Sequence, residues 1–378
     1  MYTMSGTILH VMNYAASYRG NFIDSLTNLD SKIKKDGLKN IYLFTADAKA
    51  EEPMSWIAQM KQQGEDVYFL TENRKQDANL IRRLIKEKNV KIVHTHFITM
   101  QQYLAVYSAT FKSNIPVLMH MHNHSRKAGN PIKNIIRRTL YGKCIMVACS
   151  ESVYQSLERD YPGNEKYAID NGVNFSRLDT YESLEKTAYG LKENEGVFLI
   201  FGFDFYRKGV DLAVRAMKEL REQGHNYSLL VSLSTNFQQV EENIVAILGE
   251  MPSWVKVIPA RNDVATLYNF VDVFLSPSRE EGLPYSVVEA GYSKCSVVMS
   301  DISAQIHLKI PYGYWFESEN VEDFARKIQE AKTEHQEKVK HWKEVKQSMQ
   351  DNYALDTWSE QVAKLYQKIL QGEGRKHV

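Results

Sequence analysis

Short apolar runs alternate with amphipathic stretches throughout this chain of 378 residues, and the alternation begins again past its midpoint. In the first half, Ile8–Val11, Ile41–Phe44, Val67–Leu70, Ile92–His94, Pro116–Met119 and Ile145–Ala148 read as buried strands. Asn21–Leu29, Met54–Gln63, Ala78–Lys88 and Pro131–Tyr141 read as helices between them. A second set of strands follows at Val197–Ile200, Ser228–Val231, Val255–Ile258, Val273–Leu275 and Val297–Met299. Strands that are apolar along their length are covered on both faces, and strand–helix alternation builds parallel sheets. The expected fold is therefore α/β, with two Rossmann-like doubly wound parallel-sheet domains facing across a cleft, a domain count that the length also suits.

The charged, turn-rich stretch 177–192 places the seam between Asn174 and Glu195. The expected organisation is an N-terminal domain over 1–185, a C-terminal domain over 186–355, and a last helix over 356–378 packing back toward the N-terminal domain. In that helix Trp358, Val362, Leu365, Tyr366 and Ile369 recur as one apolar stripe.

Lys and Arg number 47 against 46 Asp and Glu, so the chain as a whole is not built to coat a nucleic acid. Its three cysteines are too few for a disulfide framework and form no C-x-x-C pair, which points to reduced thiols. Residues Met1–Gly6 lack the basic and apolar regions of a signal peptide, and no apolar run reaches the ~20 residues of a spanning helix. The expected location is the cytoplasm, with attachment to the inner face of a membrane left open. Local charge supports that opening: between Lys88 and Ser150 there is no acid, yet nine cations occur, Arg126 and Lys127 among them. Asn130-Pro131 starts a helix in which Ile132, Ile135, Ile136 and Leu140 run beside Lys133, Arg137 and Arg138. Such a helix either lies on an anionic leaflet or turns its apolar stripe to the core and its basic face to water.

The chemistry concentrates in Leu275–Ala290, which carries Glu281 on a loop and Glu289 eight residues later, on a helix starting near Pro284. A carboxylate accepts two hydrogen bonds from a vicinal diol, as a sugar or ribose presents, and a helix N-terminus suits a phosphate. By spacing alone, two solvated acids on a surface helix are the plainer reading. The surrounding residues change that. Asp272, Val273, Phe274, Pro277, Ser278, Glu281, Gly282, Glu289 and Ala290 match in register a pattern of the retaining glycosyltransferases of family 4. The segment resembles that family, which has the two-domain GT-B architecture. The resemblance implies that Glu281 contacts the donor sugar and Glu289 the nucleotide ribose, with Gly282, Leu283 and Pro284 beside them.

Upstream, Gly202–Gly209 carries Arg207 and Lys208 ahead of a helix. Cations are unfavourable at a helix N-terminus unless an anion is present, and this pair suits a pyrophosphate. The stretch is similar to the family's G-R-x-x-x-x-K-G, which gives Lys208, with Gly209 after it, the phosphate role. Phe203 stands where the family has Arg, and Arg207 is the candidate replacement.

Histidines gather at strand ends in the first half: His94 and His96, then His120, His122 and His124. A His-x-His-x-His metal site requires a strand face, but this run leaves its strand for a loop without Cys or acid nearby, so no metal is expected. His94 and His120 read equally well as core histidines. The resemblance gives His122 the place of the family's active-site histidine, against the donor sugar, and leaves His96 and His124 as acceptor-side contacts. In the first loop, Arg19 is a further acceptor-side candidate, and Gly20 offers backbone N–H groups to an anion or forms a plain strand–helix turn. Lys294, Ser296 and the stretch 303–307 depart from the family's pattern near the expected nucleotide pocket.

The expected function is retaining transfer of a hexosyl or N-acetylhexosaminyl group from a nucleotide-diphosphate donor to a hydroxyl acceptor, in surface polysaccharide or lipid-linked glycan assembly. No D-x-D occurs in the chain, so protein cations are expected to replace a metal, and no cofactor beyond the sugar nucleotide is implied. The expected partners are that donor, a glycan or lipid-linked acceptor and an anionic membrane surface at Pro131–Tyr141, with no nucleic acid. The alternative is a catalytically silent GT-B subunit of a glycosylation complex.

Overall fold

A computed structural model describes residues 5–16, 19–50, 55–125 and 131–372. Residues Met1–Met4, Met54, Arg126, Lys127 and Asn130, and 373–378 of the expected last helix, lie outside them. The chain divides into two compact units, one of residues 1–172 with 355–378 and the other of residues 173–354.

The first unit holds seven strands: β1 (Gly6–Met12), β2 (Leu38–Phe44), β3 (Val67–Phe69), β4 (Val90–His96), β5 (Val117–Met121), β6 (Ile145–Ala148) and β7 (Lys166–Ala168). They pair in parallel in the order β3-β2-β1-β4-β5-β6-β7. Side chains alternate across a sheet, so one strand feeds two cores. Ile8, Met12, Tyr42 and Phe44 pack with Phe22, Ile23 and Leu26 of the helix Gly20–Ile33. Leu9, Val11, Ile41 and Leu43 pack on the other face with Ile81 and Leu84 of Arg74–Glu87 and Val106 of Met100–Thr110. The last helix, Leu355–Leu370, belongs to this unit: Trp358, Val362, Leu365, Tyr366 and Ile369 are all buried in the first of these cores. Each such side chain contributes about 1.5–3 kcal/mol by leaving water. Lys32 Nζ adds an ion pair to Asp356 at 3.0 Å.

The second unit holds β8 (Gly196–Phe201), β9 (Tyr227–Leu233), β10 (Val255–Pro259), β11 (Val273–Ser276), β12 (Ser296–Ser300) and β13 (Gly313–Phe316), parallel in the order β10-β9-β8-β11-β12-β13. The seam lies earlier than the expected 185/186. Val173 donates its N–H to Tyr353 O at 2.8 Å, and Phe175 stacks on Tyr292 with ring centroids 4.3 Å apart. Residues 173–185 therefore belong with the second unit. Their charged exterior reads as a linker, but Phe175 and Leu178 are buried beneath it.

Among the described residues no helix is long and apolar enough to cross a membrane. The helix Pro131–Tyr141 forms over its expected span, yet its isoleucines do not face the core: Ile132, Ile135 and Ile136 are 66%, 63% and 51% exposed. Leu140 alone of the stripe packs inward, beside Tyr103 and Met119.

Candidate functional site

In open α/β sheets ligands bind beyond the carboxyl ends of the strands where the strand order reverses. In these sheets the reversals fall between β8 and β11 and between β1 and β4.

The loops leaving β8 and β11 are pressed together. Lys208 N–H donates to Asp204 O at 2.8 Å, and Val210 N–H to Phe205 O at 2.9 Å, closing the first loop on itself. Gly209 turns it into the helix Val210–Glu222 at φ +69°, and a Cβ there would stand 2.0 Å from Pro277 O of the second loop. Only glycine fits both the left-handed backbone and that approach. Lys208 Nζ consequently reaches Glu281 Oε1 at 2.5 Å, with both side chains about nine-tenths buried. Arg207 Nη1 lies 3.7 Å from Glu281 Oε2, while its Nε donates to Asp204 at 2.8 Å. The Phe203 ring sits beside both cations, its centroid 4.7 Å from Lys208 Nζ and 5.3 Å from Arg207 Cζ. Arg279, which the sequence reading passed over, ties the loops: its guanidinium forks onto Asp211 with both contacts at 2.8 Å and onto Glu319 at 2.6 and 2.8 Å.

Gly282 and Leu283 are buried, and Pro284 immediately precedes the helix Tyr285–Tyr292 that carries Glu289. Glu289 is buried, with Arg177 Nη1 3.4 Å from Oε1 and the Tyr268 hydroxyl 3.1 Å from Oε2. Burial, with the Glu289 carboxylate beside it, pushes the Tyr268 phenol far up, so it stays protonated and donates. Arg177 and Tyr268 are functional candidates that the sequence did not reveal, since Arg177 stood in the stretch read as a linker. The departures at 294 and 303–307 are built into the fold. Lys294 Nζ lies 4.7 Å from the Trp342 ring, and Gln305 is buried between Ser276 (2.7 Å) and Ser300 (2.8 Å).

In the first unit the strand register brings five imidazoles together. His10 pairs with His94, and His96 with His120, across neighbouring strands. His10 Nδ1 lies 3.1 Å from His96 Nε2, and His96 Nδ1 lies 3.3 Å from His122 Nε2. His10 Nε2 meets Asn40 Oδ1 at 2.9 Å, and His94 Nδ1 meets the Tyr366 hydroxyl at 2.5 Å. Burial depresses every one of these histidines, His10 to about 4 and His120 to about 3, so all are neutral at pH 7. His10 was not a candidate in the sequence, because a lone histidine within an apolar strand carries no signal until the pairing of β1 with β4 is known.

His96, expected on the acceptor side, is fully buried with both ring nitrogens engaged, which leaves no edge for an acceptor. His122 is half-buried, its ring parallel to Phe97 at 4.0 Å and to His120 at 4.5 Å. His124 is held by Ser152 at 2.5 Å. Arg19 folds back onto its own helix, donating to Asp24 at 2.7 Å and Thr27 at 3.0 Å, and Gly20 opens that helix at φ +58°. Among the described residues, two groups of histidines have donor atoms within 4.8 Å of one another: His10, His94 and His96, and His96, His120 and His122.

Comparison with known proteins covers the same ground. Residues 182–349 match the family described as Glycosyl transferases group 1, and residues 40–177 match Glycosyltransferase Family 4. The chain is 24% identical over 231 residues to the capsular polysaccharide biosynthesis glycosyltransferase CapH of Staphylococcus aureus, covering 58% of this chain and 62% of CapH. It is 30% identical to the lipopolysaccharide glucosyltransferase WaaG of Escherichia coli over 118 residues, 31% of each chain. The chain thus spans about three fifths of CapH and less of WaaG. Among solved structures, a glycosyltransferase from Rickettsia africae superposes with a TM-score of 0.79 at 18% identity, over 97% of this chain and 99% of that one. Anabaena HepE, solved with UDP and glucose, gives 0.76 at 14% identity, over 96% and 100%.

Proposed function

Because the chain belongs to the GT-B glycosyltransferases of group 1 and family 4, we propose that it moves a sugar from a nucleotide-diphosphate donor to a hydroxyl acceptor with retention of configuration. The observation that carries this reading is the buried contact between Lys208 and Glu281, with Arg207 alongside, at the reversal point of the second sheet. Breaking the sugar–phosphate bond leaves negative charge on the departing diphosphate. Fixed cations in a site shielded from water stabilise that charge as it develops. Lys208 acts there as a point charge, and Arg207 supplies the fork that Phe203 lacks. Glu281 holds Lys208 in place and accepts from sugar hydroxyls, and Glu289, oriented by Arg177 and Tyr268, accepts from the ribose diol. His122 is the imidazole offered to a sugar hydroxyl. With two cations in place, the departing diphosphate needs no divalent ion.

The acceptor class is a surface polysaccharide or lipid-linked glycan, as the names of CapH and WaaG suggest for those relatives. Support comes from the helix Pro131–Tyr141, which exposes three isoleucines within the acid-free stretch and fits an anionic lipid surface. Incubating the full chain with a panel of nucleotide sugars and glycan-lipid acceptors in EDTA tests the reading. A glycoside that keeps the donor's anomeric configuration supports it, inversion overturns the retaining assignment, and no product with any donor favours a silent binding subunit.

A further inference from the structure

Asn40 fixes the hydrogen-bond direction of a three-imidazole chain. Its Nδ2 donates to Leu26 O at 3.2 Å, so Oδ1 is the atom that faces His10 Nε2 at 2.9 Å. An amide oxygen accepts only, which puts the His10 proton on Nε2. Neutral His10 then has a bare Nδ1, and this accepts Nε2–H of His96 across 3.1 Å. His96 in turn has a bare Nδ1, which accepts Nε2–H of His122 across 3.3 Å. Burial keeps each ring neutral, so no link can supply a second proton.

We propose that Asn40, His10 and His96 are positioning residues that lock His122 as the Nε2–H tautomer, leaving Nδ1 to accept a hydrogen bond from a ligand hydroxyl. This deepens the transferase reading and rests on it for the identity of the hydroxyl. The assignment is chemically selective: a bare Nδ1 takes a sugar or acceptor O–H and offers nothing to a phosphate oxygen. Phe97 helps hold the ring. It adopts φ +55°, a conformation costly for an aromatic residue, and lies parallel to His122 at 4.0 Å. Strain of this kind persists only where the surroundings over-determine it.

The test is nitrogen-15 NMR of the full chain, labelled at histidine, at pH 7 without substrate. The expected result is Nε2–H for His10, His96 and His122, and Nδ1–H on His122 would overturn the proposal. Asn40→Leu, which removes the acceptor facing His10 Nε2, should mix the His122 tautomers. With a working donor, Asn40→Leu should lower kcat by roughly tenfold with donor KM unchanged, because a mis-set tautomer removes the acceptor from the reacting geometry. An unchanged His122 tautomer in Asn40→Leu overturns the relay. Zinc chloride that strips the Nε2 proton from His96 at stoichiometric metal also overturns it, in favour of the metal group formed by His10, His94 and His96. The resting tautomers are read without turnover, so a failure of the transferase reading leaves them standing and is separately visible.

Discussion

Lys208 and Glu281, 73 residues apart in sequence, meet Nζ to Oε1 at 2.5 Å where the loops of β8 and β11 close on each other. Removing one member of a buried ion pair strands the other's charge and costs about 3–5 kcal/mol, while replacing both is far milder. Urea unfolding of Lys208→Met, Glu281→Gln and the double variant should show the double variant more stable than Lys208→Met alone. Additive losses would mean the pair is not coupled in solution.

Gly209 is the hinge of that meeting. At φ +69°, with Pro277 O in the path of a Cβ, Gly209→Ala must push the two loops apart. The expected loss is about 1–3 kcal/mol, together with weaker donor binding. Unfolding and binding both equal to wild type would remove the claim that this approach sets the pocket.

Acid should unfold the first unit through its histidines. His10 and His120 are depressed to about 4 and about 3 from an ordinary 6.5, and His94, His96 and His122 lie well below it. Below pH 6.5 the unfolded chain binds protons that the folded chain refuses. Their stabilisation is therefore present above pH 6.5 and lost as pH falls toward the folded values. The slope is about 1.4 kcal/mol per pH unit for each histidine titrating. His120→Phe replaces a ring that has no hydrogen-bond partner among the described residues, so it should fold and flatten the slope between pH 6.5 and 4. An unchanged slope would contradict the burial account.

How far the sequence reaches is clear from particular residues. The apolar runs of β1, β2, β8 and β11 announce parallel sheets because both faces are covered, and the spacing of Glu281 and Glu289 survives intact in a loop and a helix. The half-exposed edge strand Lys166–Ala168 has no apolar run to announce it. Arg177 was hidden because its neighbours Phe175 and Leu178 are buried beneath a charged exterior, and sequence charge reads as solvent exposure. His10 and Asn40 acquire meaning only through pairing of β1 with β2 and β4, which no local pattern encodes. The isoleucines at 132, 135 and 136 have helical periodicity, but periodicity cannot say whether core or another surface covers that face.

That surface is testable directly. Replacing Ile132, Ile135 and Ile136 together by Ser should abolish co-sedimentation with vesicles containing phosphatidylglycerol while leaving the unfolding transition nearly unchanged, since these side chains are already exposed. Wild-type binding should weaken with added salt as the basic stretch is screened. Equal sedimentation of both proteins would reduce the helix to scaffolding.

The proposed transfer rests on cations of the second unit holding the donor's diphosphate. Its most direct measurement is calorimetric titration of the full chain, in EDTA, with UDP, GDP and ADP, comparing wild type with Lys208→Met and Arg207→Ala. At least one diphosphate should bind wild type without divalent metal, and Lys208→Met should weaken it by at least about tenfold, or 1.4 kcal/mol. Binding that requires added magnesium, or that neither substitution alters, would contradict it.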